Sequence, residues 1–259
     1  MQAMLFPMAL TPRMIVIVVF GVFLASFVDG VAGGGGIISV PVYLLSGLPA
    51  HLALGTNKLS SCVGTAVSAV RFIRRGYVDW KLAIPSIALG LLGAHFGTRL
   101  QLAVEEQALK WLLLIALPLV ALAVLRQKKL PEEPGEIAPG VQRAIVLGAS
   151  AVVGAYDGFY GPGAGTFMLL IFCRWGKMGL RTAAGNVKLV NLASNVGAVM
   201  TSLAGGKVFI VLGLIGACAS VAGHFIGSGL AIKDGSKIVR PVILVVLALL
   251  AVKVISELI

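Results

Sequence analysis

The chain has 259 residues, a formal net charge of +11 and 58% hydrophobic residues, yet only 12% charged ones. An ordinary soluble domain carries roughly 25% charged residues, so that class is excluded. The basic residues sit in short loops between apolar runs with no interleaved aromatic patch, which argues against nucleic acid as a partner and for loop charges that fix membrane orientation.

Apolar runs of about 15 to 20 residues recur from end to end, the pattern of an all-α polytopic membrane protein. Residues 14–28 form the first run. It follows Arg13 and could pass for a signal peptide. Its tail carries Asp29 and then Gly33, Gly34, Gly35 and Gly36, and a similar cluster returns later, so the run reads as part of the fold. Residues 37–45 continue as a second short run. Each piece is expected to be too short to cross a hydrocarbon core of about 30 Å. Residues 52–70, 82–98 and 108–125 are long enough to cross. Residues 126–143 are polar, with Pro131, Pro134 and Pro139, and read as a cytoplasmic linker.

The second part repeats the plan. Residues 144–156 and 166–172 flank a second break with Asp157, Gly158, Gly161 and Gly163, and residues 182–203, 208–231 and 239–255 are longer runs. Asp29-Gly30 matches Asp157-Gly158, and Gly33 and Gly35 match Gly161 and Gly163, at a shift of 128. Gly55, Lys58, Gly93 and Gly97 match Gly185, Lys188, Gly223 and Gly227 at a shift of 130. The expected organisation is a transmembrane repeat over 14–125, the linker, and a second repeat over 144–257.

Loop charge orients the repeats. If each short pair returns to the same side, 14 lysines and arginines fall on one side and 4 on the other. The richer side is cytoplasmic by the positive-inside rule, and both termini face out. Each repeat then has about five elements, an odd number, so the copies are inverted, a recurrent plan of secondary transporters.

Paired glycine breaks inside a membrane chain point to a transport site, because open backbone survives there only where it is buried in protein or lines a cavity. A helix starting at such a break aims unpaired N–H groups at an anion. The bland alternative is that the glycines only allow tight helix packing. The third element of each copy adds polar groups: Asn57 and Lys58 in one, Asn186, Lys188, Asn191 and Asn195 in the other. Lys58, Ser61 and Thr65 share a helix face at i, i+3, i+7, as do Lys188, Asn191 and Asn195. Lysine at depth is costly and usually paired or functional, although snorkelling to the headgroups is the alternative. Asp29 and Asp157 are candidates to pair with the lysines, to cap a half-helix, or to carry a coupling proton or ion. Cys62, Cys173 and Cys218 have no metal spacing and are expected to be buried apolar residues, and no metal or other cofactor is implied.

At these residues the chain resembles the TauE/SafE family, also called the sulfite exporter or 4-toluene sulfonate uptake permease family. The likeness rests on Asp29-Gly30, the four glycines, Pro41, the Gly55-Thr56-Asn57-Lys58 turn into a helix and the reduced second copy. It covers almost the whole chain. It departs in the second copy, where Pro162 and Ala164 replace glycines and Asn191 and Asn195 replace hydroxyl residues. The resemblance implies a multi-pass transporter of the cell (inner) membrane, not an enzyme, for sulfur-containing anions such as sulfite and organosulfonates. A small anionic substrate and the lipid bilayer are then the partners, with a homodimer left open. A passive anion channel is the alternative. An intramembrane aspartyl protease is a third reading, but the glycine cluster ends in Ile37 where that chemistry needs an aspartate.

Overall fold

The computed structural model describes residues 8–112, 115 and 130–234, and these form helices and turns with no strand. In chain order the helices are α1 (Pro12–Ala32), α2 (Gly36–Leu45), α3 (Ala50–Arg74), α4 (Trp80–Ala103), α5 (Glu106–Leu112), α6 (Pro139–Phe159), α7 (Ala164–Leu170), α8 (Leu180–Ala204) and α9 (Ile210–Asp234). Helix α7 runs on into a π-helical turn, Ile171–Trp175.

Local chemistry sets the ends. Thr11 accepts the Met14 amide at 3.3 Å, and Pro12, which has no N–H to lose, opens α1. Asp79 accepts the Lys81 amide at 3.0 Å and caps α4. Glu106, from α5, reaches the first free amides of α3 at Ala50 and His51.

The first member of each broken pair is longer than expected. Helices α1 and α6 each have 21 residues, about 31 Å at 1.5 Å per residue, and carry Asp29 and Asp157 inside their last turns. Only the second members, α2 and α7, are short. A polar residue followed by glycine interrupts hydropathy without breaking the backbone ladder. Gly158 is a contact point: a Cβ there would lie 2.2 Å from the Ala94 carbonyl oxygen. The chain turns where φ becomes positive, at Gly33 (75°) and Gly34 (88°), then at Gly161 (93°) and Gly163 (81°).

Packing joins distant parts of the sequence. Helix α1 lies along α9, and α6 along α4. Helix α9 also packs on α3, α4 on α8, and α3 and α8 meet each other. A Cβ on Gly97 would lie 2.0 Å from the Ala155 carbonyl oxygen, and one on Gly227 2.2 Å from that of Phe27. The glycines differ by 130 positions and their partners by 128. Close backbone approach through small residues is how helices pack when lipid supplies no hydrophobic drive between them.

The outer surface is apolar. Phe20 is 72% exposed and Val152 71%, with Ile84, Phe96 and Met200 also outward. Among the described residues, α1, α8 and α9 are long and apolar enough to cross a membrane, and a fourth span counts if α4 and α5, bent by 118° at their junction, are taken as one. The expected crossings over 108–125 and 239–255 lie largely or wholly outside the described residues, as do Arg126, Lys128, Lys129, Lys237 and Arg240. The cysteine expectation holds only for Cys173; Cys62 is half-buried and Cys218 exposed.

Candidate functional site

The two breaks meet. A Cβ on Gly33 would lie 2.9 Å from the Gly165 backbone, and one on Gly36 3.2 Å from Pro162 Cα. Tyr156 donates its hydroxyl to the Pro162 carbonyl at 2.6 Å and steadies the second break. Glycine therefore serves packing here, as the bland reading held, while part of the same backbone borders a cavity.

That cavity is walled by Gly34, Gly35, Gly36, Gly161 and Gly165 from the breaks and by Asn57, Lys58, Asn191 and Asn195 from α3 and α8, with Asp29, Asp157 and His224 beside them. Its empty space is about 480 Å³ counted out to its open mouth. The clear space between its walls holds only about three water molecules. An anion larger than that enters only if the helices move.

Two buried ion pairs lie at the cavity, and both connect residues 8–112 to residues 130–234; Lys58, Asp157 and Asp29 are in its wall, whereas Lys188 sits behind Asp29 and is not. Lys58 Nζ lies 2.8 Å from Asp157 Oδ1, and Lys188 Nζ 3.0 Å from Asp29 Oδ2. The lysines are 5% and 3% exposed, so they do not snorkel. Lys58 is the ninth residue of α3, roughly 12 Å from its start. Each ammonium is offset by a carboxylate, because an uncompensated buried charge is strongly unfavourable. Asp29 also accepts the Gly35 amide at 3.0 Å, so it caps the start of α2 while pairing with Lys188. Asp157 accepts from the Ser194 hydroxyl.

Other predicted residues fall differently. Gly33 and Gly163 lie at the break contact rather than in the cavity wall, and the side chain of Asn186 donates to the Thr182 carbonyl at 2.9 Å. Asn195 donates to Thr65 at 3.4 Å. The side-chain oxygens of Asn57 and Asn191 are buried with no hydrogen-bond partner. An amide can turn to present either its oxygen or its NH₂ group, so these two are free to serve a bound solute as donors. Sequence reasoning missed Ser26, Ser39 and His224 in the wall. No repeat signal exposed His224, since the matching position of the first copy is Ala94.

A profile described as "Sulfite exporter TauE/SafE" matches residues 18–254. The chain is 33% identical to the "Probable membrane transporter protein YfcA" of Escherichia coli (strain K12), covering 95% of this chain and 91% of that protein. It is 32% identical to the "Probable membrane transporter protein ORF9" of Sinorhizobium sp, covering 91% and 90%. A "Probable membrane transporter protein" of Haemophilus influenzae is 30% identical, covering 91% and 92%. No solved structure matches the chain. With its apolar helices and a match of this extent, the chain is a membrane-embedded protein and belongs to the sulfite exporter TauE/SafE family of transporters.

Proposed function

We propose that this chain is a secondary transporter of a small sulfur-containing oxyanion, sulfite or an organosulfonate, binding it near the midplane by alternating access. The observation that carries the reading is the cavity where both breaks meet, lined by Lys58, Asp157 and the Asp29 that holds Lys188, and bordered by Asn57 and Asn191, whose amide oxygens have no partner. An arriving anion competes with a carboxylate for its lysine. Loss of that pairing is offset by the new one, so exchange is feasible where addition of a bare charge is not. Backbone N–H groups at Gly34 and Gly36 add donors, and Asn195 completes the polar face.

Two inverted repeats, over 14–125 and 144–257, are the organisation in this reading. Support comes from matched contacts at shifts of 128 and 130, and from each carboxylate being held by the lysine of the other copy. The cell (inner) membrane, a cytoplasmic linker and outward termini follow from the loop charge bias. Asp29 and Asp157 are the coupling candidates. Each holds a lysine rather than the other aspartate, which speaks against a protease pair. A homodimer remains compatible with the exposed apolar surface.

Counterflow in proteoliposomes tests the reading. A preloaded sulfite, sulfoacetate or taurine pool should drive transient uptake of labelled substrate, with a carboxylate as control. Passive leak without counterflow favours a channel, and no movement of any sulfur anion removes the proposed substrate class.

A further inference from the structure

The two ion pairs are matched, yet their surroundings differ: Asp29 accepts the Gly35 amide and its main-chain carbonyl also accepts from Lys188, whereas Asp157 accepts from Ser194. Asp29 has a third neighbour from α9: His224 Nε2 lies 3.5 Å from Oδ2, the same oxygen that Lys188 holds at 3.0 Å. His224 Nδ1 is 2.8 Å from the Ser68 hydroxyl oxygen. At the matched position of the other copy stands Ala94, and no imidazole can reach Asp157. Asp157 has the Ser194 hydroxyl instead. The position matching Ser194 is Gly64, and a Cβ there would lie 2.4 Å from His224 Cδ2. A side chain at Gly64 would meet both the Ser220 hydroxyl, at 2.1 Å, and the imidazole, so Asp29 has a histidine where Asp157 has a hydroxyl.

We infer that His224 and Asp29 form the proton-binding site of the carrier, while Lys58–Asp157 stays a fixed-charge pair. The inference rests on the transport reading above and assigns the coupling proton to one side. In the neutral ring, Nε2–H faces Asp29 and Nδ1 accepts from Ser68. A proton arriving from water in the cavity goes to Nδ1, and Ser68 turns from donor to acceptor. The resulting imidazolium competes with Lys188 for the one Oδ2 atom. Lys188 then keeps only its bond to the Asp29 main-chain carbonyl, and its uncompensated charge is available to the anion, so proton and anion enter together. The charged groups facing His224 are Asp29 from α1, Lys188 from α8 and, on the outer side of α3, Arg71, whose guanidinium holds the Phe225 carbonyl; α9 itself adds Lys233 further along.

The experiment compares proton-driven accumulation with counterflow for sulfite in proteoliposomes. An inward proton gradient should drive accumulation in the wild type, and His224→Gln should cut that accumulation at least tenfold more than it cuts counterflow. Accumulation that ignores the gradient while counterflow proceeds, or that survives His224→Gln in proportion to counterflow, overturns the proposal. If no sulfur anion moves at all, the transport reading has failed, and the ring is then read directly. The chain has only 3 histidines, so ¹⁵N-histidine spectra are simple and His224 is assigned by its loss in His224→Gln. Its ring signals should change charge state between pH 4 and 8, and should respond to Asp29→Asn but not to Asp157→Asn. Ring signals that ignore both pH and Asp29→Asn overturn the proton site independently of transport. Should His224→Gln fail to fold, His51→Gln and His95→Gln assign the remaining ring by elimination, and Asp29→Asn read in the same spectra decides.

Discussion

Removing Lys58 should expose how the two parts of the chain are held together. Lys58→Met keeps the length of the side chain and deletes the ammonium 2.8 Å from Asp157. The carboxylate then stays buried with the Ser194 hydroxyl as its remaining side-chain partner. Breaking a buried pair by deleting one member costs about 3–5 kcal/mol, mostly through the stranded charge. The Ser194 bond offsets a little of this, so about 3 kcal/mol is expected. Asp157→Asn, which strands Lys58, should cost about the same. The double variant strands nothing, so its loss should fall about 2–3 kcal/mol short of the sum. Reversible unfolding by dodecyl sulfate in mixed micelles measures all four proteins. Lys58→Met combined with Asp29→Asn is the control, and those two losses should simply add. Additive losses for Lys58 and Asp157, within about 0.5 kcal/mol, would refute the crossed pairing.

Asn57→Leu and Asn191→Leu should leave stability unchanged or slightly raised, because they remove polar oxygens that have no partner, yet should lower sulfite counterflow at least tenfold if those amides bind the solute. Gly97→Ala should cost about 1–3 kcal/mol or prevent folding, since its Cβ would lie 2.0 Å from a carbonyl oxygen, whereas Gly148→Ala, with nothing within 4 Å, should be neutral or gain up to about 1 kcal/mol in the same unfolding assay. Glu106→Ala uncaps α3 and should cost about 1 kcal/mol, the residue being 45% exposed at its side chain.

What could be read beforehand follows from which forces are local. The broken pairs were visible because glycine and aspartate interrupt apolar runs, and the expectation of a repeat came from Gly93, Gly97 and Lys58, whose counterparts stand at a fixed shift. The lengths of α1 and α6 were not, because hydropathy falls at Asp29 and Asp157 while the helical ladder continues beneath them. The crossing of the ion pairs was hidden too. Either lysine could have met either aspartate, and only the packing of α3 against α8 decides. His224 was beyond reach because its neighbours, Asp29 and Ser68, come from two other helices and its counterpart is an alanine.

The embrace of α1 by α9 has a consequence for synthesis. Nearly two hundred residues separate the two helices, and α6 must in turn find α4, made before it. Neither portion of the polypeptide owns the neighbours it needs. The early helices therefore complete their packing only after the later ones are made. A gene cut between the two portions should still yield working protein from both fragments made together, and nothing from either made alone.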